Sequence, residues 1–510
     1  FAVPDKKKIE GKLKEKKNSR KRNLIAAVSI ILLIIASFFL HKSFTGRVIG
    51  EKIKSIAVLP FVNGSSDNEN DYLSDGIAQE IISRISKIGS IEVKGWLSSV
   101  SLKNSNKSLK EKGEALGADG IVSGDFQKEG NKVLIRVEFD EVSTGKRLWG
   151  DEYKMQWDDV LNIQTEVAEK IASALNAKLT PQEKMDLSKH YTENIEAYKL
   201  YRLGEYFLNL NAGNGGMADS AKLYFNKALS LDPDYAIAYS GLAECYFFKD
   251  AGLKQLDWLP ISKTYALKAL SLDSTLSEAL TTIGWIQSSF EYDWAGSKIT
   301  LEKAIASDPN NAQAHLFYGN HLQYTRENAE KGISEVKKAI QLDPLNGRFN
   351  WVLGRNYYFA RKYDSAYIQL KKEIDLHPND AAAIAYMVLD LVAKKQFAQA
   401  FELINRMGHG TSKYFFYKEQ FTSYVYAASG DTTRARSELN KVLKEDPGMS
   451  PYILAGTYIQ LKDYNKALTS LERAYDIRDI GMYYFLVDPG LDPIRNEPRF
   501  KEILKKMRLK

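Results

Sequence analysis

The sequence has one cysteine, Cys245, among its 510 residues. One thiol can form neither an intrachain disulfide framework nor a cysteine-based zinc or iron–sulfur site. Histidine is also scarce, and neither a His-Glu-x-x-His nor a Gly-x-Ser-x-Gly pattern occurs. His315 and His321 are six positions apart, which places them on different faces of a helix. We therefore predict no catalytic residue, no metal site and no cofactor in this chain.

Most of the chain carries no net charge. Residues 1–22 hold ten Lys/Arg and three Asp/Glu, which leaves 61 of the 71 cations and 61 of the 64 anions for the other 488 residues. The basic isoelectric point, about 8.9, thus comes from one short tail. It gives no reason to expect nucleic acid as a partner of the folded part.

Long uncharged runs are absent with one exception, residues 24–40, which read LIAAVSIILLIIASFFL. A helix of this length reaches ~25 Å, at the short end of a membrane span. We predict a transmembrane helix over 24–41. Ten cations precede it and four follow it within residues 41–54, so the positive-inside rule places residues 1–23 in the cytoplasm as a basic tail. The predicted location is a bacterial inner membrane, crossed once, with the later domains periplasmic.

Two other interpretations of this run fit its length and flanks less well. A cleavable signal peptide would have a shorter apolar core followed by a small-residue cleavage site. A buried core helix would not stand next to ten cations. Because the sequence begins with Phe1 rather than Met, we expect a longer protein whose preceding part faces the cytoplasm.

Residues 54–180 alternate short β-branched runs with amphipathic stretches, which predicts a small α+β domain. The segments 56–81, 109–153 and 158–175 are similar to the TolB amino-terminal-like domain of membrane-tethered bacterial regulators. This resemblance implies a β/α module that docks onto other envelope components, and it does not imply catalysis.

Residues 190–481 repeat the pattern Lys-Ala-aliphatic followed by acidic-Pro. The motifs end at 233, 274, 309, 344, 378 and 447, so the spacings are 41, 35, 35, 34 and 69. A period of about 34 is that of tetratricopeptide repeats, which are pairs of antiparallel helices. The eighth position of the repeat is small in seven of eight copies, as close helix crossing requires. These small residues are Gly204, Ala243, Gly284, Gly319, Gly354, Ser423 and Ala455.

The sequence therefore resembles an array of about eight tetratricopeptide repeats, closed by a C-terminal cap over 482–510. The predicted fold class is multi-domain: a transmembrane helix, the TolB-like α+β domain and an all-α solenoid. Stacked repeats curve and present their first helices on a concave wall. The repeat positions that face inward predict a peptide-binding groove containing Trp285, Asn320, Arg355 and Tyr358. For Trp285, simple packing against the next helix is the alternative.

These features favour a protein that binds over one that catalyses, and three functions stay open. The first is a membrane-anchored scaffold or sensor that binds a protein or peptide and signals inward. The second is the C-terminal regulatory part of an adenylate or guanylate cyclase, because FAVPDKKKIEGKLKE resembles the linker after class III cyclase domains. The third is part of a membrane-tethered winged-helix transcription regulator. The last two resemblances imply a homodimer.

Overall fold

The computed structural model describes residues 53–65, 70–209, 216–247, 255–407, 418–445 and 449–509. The N-terminal part of this chain forms an α+β domain around a six-stranded sheet. The strands are β1 (Ser55–Val58), β2 (Val62–Asn63), β3 (Glu92–Val93), β4 (Gly120–Glu129), β5 (Lys132–Glu141) and β6 (Arg147–Gln156). β1 pairs in parallel with β3 and β4, whereas β4, β5 and β6 form an antiparallel meander.

Helices cover both faces of this sheet. They are α1 (Asp71–Ser86), α2 (Trp96–Ser101), α3 (Leu109–Leu116), α4 (Val160–Ala174) and α5 (Pro181–Ser188). α1 and α4 pack side by side, while α2 contacts β1 and α3 contacts β4. Alternate residues of β5, including Ile135 and Phe139, are fully buried, as expected for a strand with one face in the core.

Helix pairs follow from residue 195. The first helices are α6 (Ile195–Asn209), α8 (Ala236–Phe247), α10 (Ser277–Ser289), α12 (Ala312–Tyr324), α14 (Gly347–Phe359), α16 (Ala381–Ala393), α18 (Lys418–Ser429) and α20 (Pro451–Gln460). The second helices are α7 (Gly216–Leu231), α9 (Gln255–Leu272), α11 (Trp294–Ser307), α13 (Ala329–Leu342), α15 (Tyr363–Leu376), α17 (Phe397–Ile404), α19 (Thr432–Glu445) and α21 (Tyr464–Asp476). The helix pairs therefore recur with the period that the sequence predicts.

The small residues of the repeat allow the two helices of a pair to touch. A Cβ atom placed on Gly319 of α12 would lie 2.6 Å from the carbonyl oxygen of Gly332 on α13. Any side chain at either position would push the helices apart.

After the last pair, residues 480–509 form what we call the C-terminal segment. It contains the 3-10 helices Ile480–Tyr484 and Pro489–Ile494 and the helix α22 (Pro498–Lys506). Phe485, Ile494 and Phe500 are completely buried in the largest apolar cluster of the array. The segment is thus an integral part of the core.

The predicted fold class needs a correction. The expected transmembrane helix, residues 24–41, lies outside the described residues, and among the described residues no helix has the length and apolar character to cross a bilayer. Among the described repeat helices, α9 has 18 residues and carries Asp257, Lys263 and Lys268. The fold class is a mostly helical repeat solenoid with an α+β domain. The inner-membrane and periplasmic location rested on that helix and is wrong as stated.

Candidate functional site

The inner wall of the repeat array holds the four residues predicted to bind a peptide. Trp285 lies on α10, Asn320 on α12, and Arg355 and Tyr358 on α14. Trp285, Asn320 and Arg355 each follow the small residue of their repeat, so successive first helices bring them onto one surface. Tyr358 lies about one turn beyond Arg355 on the same helix. Their exposure differs: Trp285 is half-buried, whereas Asn320, Arg355 and Tyr358 are 3%, 8% and 3% exposed.

The C-terminal segment contacts this wall, at Trp285 and at Arg355. The ring of Tyr483 lies 6.4 Å from Trp285, 6.1 Å from Trp294 and 4.9 Å from Tyr324, measured between ring centres. Tyr484 follows, 5.0 Å from the ring of Phe359. The last residues of the chain therefore lie along the inner side of helices that precede them by more than 120 positions.

Arg355 is held by aromatic rings. Its guanidinium lies 5.1 Å from the ring centre of Trp351, 5.6 Å from Tyr324 and 5.8 Å from both Tyr386 and Tyr484. Within the described residues it forms no ion pair with a carboxylate, and its Nε has no hydrogen-bond partner. Burial works to lower the pKa of Arg355, but the neighbouring phenols outweigh it and raise that pKa. Arg355 is therefore a buried cation within an aromatic cage.

A second cation lies two turns earlier on the same face of α14. Arg348 is half-buried, and its guanidinium lies 5.9 Å from the ring centre of Phe317. Burial and the charge of Arg355 together lower the pKa of Arg348 to about 10. Trp351, between the two arginines, is also half-buried. Trp285, Arg348 and Trp351 are therefore partly accessible to solvent, and we call these three side chains the open inner wall.

Asn320 belongs to a buried hydrogen-bond network. Asn356 Nδ2 donates to Asn320 Oδ1 at 2.9 Å, and the Tyr324 hydroxyl donates to Asn356 Oδ1 at 2.9 Å. These bonds connect α12 to α14. Tyr358 packs on Phe359 and Tyr363, and burial raises the pKa of its hydroxyl well above the usual range. A binding role for these residues stays a prediction.

A second surface was not anticipated from the sequence: the loops that follow the second helices dock the α+β domain. Asp343, after α13, accepts a hydrogen bond from the backbone N–H of Ser98 at 2.9 Å and another from its hydroxyl. Asp308, after α11, accepts one from the Ser86 hydroxyl at 2.9 Å. Both aspartates belong to the acidic-Pro motif that revealed the period. The motif residue therefore positions the domain, a contact that periodicity alone does not disclose.

The same edge of the array adds further polar contacts. Asn310 Nδ2 donates to the carbonyl oxygens of Ser86 and Ile91 at 2.7 and 2.9 Å, and its Oδ1 accepts from the Val93 N–H at 3.0 Å. Asp273, in the preceding loop, pairs with Lys189 at 2.6 Å. Three successive loops thus bind the domain and the residues just after it.

A buried ion cluster completes this contact. Glu80 of α1 pairs with Arg202 of α6 and, at 3.1 Å, with Arg84. Burial would raise the pKa of Glu80, but the two guanidinium groups outweigh it and the pKa falls. Arg202 also pairs with Glu205. Because each charge has a partner, the cluster fixes α1 against the first repeat.

The described residues contain no group of three or more His, Cys, Asp or Glu side chains placed to hold a metal ion. His315 bonds through Nδ1 to Glu335 at 2.7 Å and through Nε2 to the Pro309 carbonyl at 3.1 Å. His321 is buried, and burial lowers its pKa to about 4. Cys245 is fully buried.

Comparison with protein families identifies the repeats. The tetratricopeptide repeat family model matches residues 212–235 and 452–479. The chain contains tetratricopeptide repeats. The period of 34 predicted from the sequence is confirmed by this match and by the helix pairs, and a tetratricopeptide fold indicates a non-catalytic role for the array.

Two curated relatives match parts of the chain. "Putative adenylate cyclase 3" of Rhizobium meliloti (strain 1021) is 31% identical over 190 residues, 37% of this chain and 32% of that protein. Tetratricopeptide repeat protein 37 of Xenopus laevis is 26% identical over 204 residues, 38% of this chain and 13% of that protein. The chain thus spans a third or less of the length of either relative.

Two solved structures are similar to this chain at low sequence identity. PilF of Pseudomonas aeruginosa is 21% identical, with a TM-score of 0.32, and the match covers 42% of this chain and 92% of that one. Yeast Tom70 is 15% identical, with a TM-score of 0.38, and the match covers 86% and 85% of the two chains. Both scores are below 0.5, so these structures carry no argument about function.

Proposed function

We propose that this chain is the regulatory, partner-binding part of a nucleotide cyclase whose catalytic residues lie elsewhere in the full-length protein. One observation carries the proposal: 31% identity over 190 residues to a protein named as an adenylate cyclase, of which those residues are only 32%. The tetratricopeptide repeats support the binding role. The resemblance of residues 1–15 to a post-cyclase linker points the same way.

The open inner wall is the proposed partner surface. Trp285 and Trp351 offer apolar rings, and Arg348 a guanidinium, all half-buried. An extended peptide with aromatic and acidic side chains fits these groups, because guanidinium groups pair with carboxylates and tryptophan rings with apolar side chains. In this proposal Trp285 contacts the partner directly. Asn320, Arg355 and Tyr358 are buried behind the open inner wall and support it.

The α+β domain is bound to the repeat array, and this arrangement is suited to a regulatory role. In this proposal it has the TolB-like fold and moves with the repeats, because three loops and an ion cluster bind it. A partner on the inner wall would therefore act on the domain and the array together. The identity to a protein named as an adenylate cyclase favours the cyclase proposal over a winged-helix regulator.

The direct experiment is to express the complete reading frame and measure the conversion of ATP to cyclic AMP and of GTP to cyclic GMP, each with release of pyrophosphate, with Mg²⁺ or Mn²⁺. Formation of either product is the expected result. An inactive full-length protein, under conditions in which a known class III cyclase is active, would overturn the cyclase proposal. It would leave the binding role of the repeats to be tested separately.

A further inference from the structure

The repeat formed by α14 and α15 departs from the others at three equivalent positions. Where four other second helices have alanine, α15 has Glu373, and where their following loops have aspartate, this one has His377. The first helix begins with Gly347 where its two neighbours begin with alanine. The alanines are Ala228, Ala269, Ala304 and Ala339, and the aspartates are Asp232, Asp273, Asp308 and Asp343.

These three residues meet in space. Glu373 Oε1 lies 2.6 Å from Nδ1 of His377. A Cβ atom on Gly347 would lie 2.7 Å from the same carboxylate oxygen and 3.2 Å from the imidazole ring. Glycine at 347 therefore makes room for glutamate at 373, and the three departures form one arrangement.

The Glu373 carboxyl group has an unfilled acceptor. Its side chain is completely buried, and Oε2 has no hydrogen-bond partner among the described residues. Burial, the largest influence, raises the pKa of Glu373, and the charge of Asp380 adds to this; His377 and Lys372 act in the opposite direction. A buried acceptor without a donor is costly and is seldom retained without a function.

The carboxyl group borders an open hollow of about 490 Å³, which is also lined by Leu376, His377 and Asp380. Leu376 is 59% exposed, and the side chain of His377 is 54% exposed. The hollow lies at the C-terminal end of α15, where the helix dipole attracts positive charge. Asp380 adds a second carboxylate, one oxygen of which caps α16.

We propose that this hollow binds a lysine or arginine side chain of a partner protein. The aliphatic stem lies along Leu376, and the cationic head donates to Glu373 Oε2 beside Asp380. The half-exposed imidazole of His377 turns aside to admit the head, so the bond between His377 and Glu373 is exchanged for one between the cation and Glu373. The site lies at the loop edge of the array, apart from the open inner wall, and does not depend on the cyclase proposal.

The test uses the full chain with ¹³C-labelled histidine and follows the imidazole signals by NMR. The ligands are tripeptides with blocked ends, Gly-Lys-Gly and Gly-Arg-Gly, with Gly-norleucine-Gly as the neutral control of matched stem. We expect a saturable shift of the His377 signal, assigned with His377→Gln, for both cationic peptides and none for norleucine. Glu373→Gln, which keeps the shape of the side chain, weakens binding about tenfold or more.

Gly347→Ala provides an independent variant, because its methyl group would crowd the carboxyl group without removing it. It too is expected to weaken binding, and a thermal unfolding curve shows whether either variant is folded. Equal shifts with the norleucine peptide, no shift with any peptide, or unchanged affinity in a folded variant would overturn the proposal.

Discussion

The indole nitrogen of Trp294 donates a hydrogen bond of 2.8 Å to the carbonyl oxygen of Met507, 213 residues further along the chain. Trp294 begins α11 in the third helix pair, and Met507 follows α22. Arg326 makes a similar long-range bond, donating to the Leu486 carbonyl at 2.9 Å. The end of the chain is thereby fixed to the middle of the array, and the solenoid is stabilised across its inner side as well as between neighbouring repeats.

The first prediction concerns this C-terminal segment. Phe485→Ala should lower the free energy of unfolding by about 3 to 5 kcal/mol, because the ring is completely buried and stacks 4.3 Å from that of Phe500. The measurement is urea denaturation followed by circular dichroism. Ile368→Ala is the control, since this side chain is 69% exposed and should change stability by less than about 0.5 kcal/mol. Similar losses for both variants would show that the segment is not part of the core.

The second prediction concerns the docked domain. Asp343→Ala removes the acceptor for two donors of Ser98, both of which become unpaired in a buried contact. The expected loss of stability is about 1 to 3 kcal/mol, with faster hydrogen exchange in α2. Asp375→Ala is the matched control, because that exposed aspartate pairs with the exposed Lys371 on the same helix. If exchange in α2 is unchanged by Asp343→Ala, the loop does not hold the domain.

The third prediction is a pH dependence centred on Asp308. Burial and the charge of Glu278 raise the pKa of this buried carboxyl to about 6, against opposing effects of Ser86 and Lys87. Its pKa is therefore higher in the folded chain than the 3.8 of an ordinary aspartate. Between these values the folded state binds the extra proton, so this group's contribution to stability falls as pH rises from about 4 to 6.

Asp308→Asn removes that titration while keeping an acceptor for the Ser86 hydroxyl. The stability difference between wild type and variant should change by about 2 to 3 kcal/mol between pH 4 and pH 7, in favour of the variant at pH 7. Urea denaturation at both pH values measures it. A difference that does not vary with pH would contradict a raised pKa.

The fourth prediction uses Cys245, the single cysteine of the sequence, to measure how readily the second repeat unfolds locally. The side chain is fully buried, and burial raises the pKa of the thiol. Its reaction with a disulfide reagent in the native protein should be at least about a thousandfold slower than in denaturant. The variant Ile368→Cys, at an exposed position, should add one fast-reacting thiol. Rapid reaction of Cys245 in the native chain would show that the second repeat opens readily.

Periodicity made much of the fold predictable. The repeat motifs end at 233, 274, 309, 344 and 378, and a first helix begins three residues after each, at 236, 277, 312, 347 and 381. Local requirements, such as a small residue where helices cross, recur in seven of the eight repeats and are therefore readable from one sequence.

Long-range contacts that do not recur from repeat to repeat could not be predicted in this way. Asp308 and Asp343 looked like ordinary loop residues, because their partners Ser86 and Ser98 are more than 220 residues distant. Likewise, nothing in 482–510 indicates that Tyr483 and Tyr484 lie against Trp285 and Arg355. Trp285, Asn320, Arg355 and Tyr358 lie on first helices, and their role in a groove stays a prediction. The segment that contacts Trp285 and Arg355 has no repeating pattern.

The central claim is that the open inner wall receives a protein partner, and placing a photocrosslinker on that wall tests it most directly. Benzoylphenylalanine would replace Trp285 in one full-length variant and Ile368, on the outer face, in another. We predict one protein that crosslinks from position 285 and not from 368, and whose purified form binds the chain with an affinity lowered at least about tenfold by Arg348→Gln. Equal crosslinking from both positions, or binding that Arg348→Gln leaves unchanged, would contradict the claim.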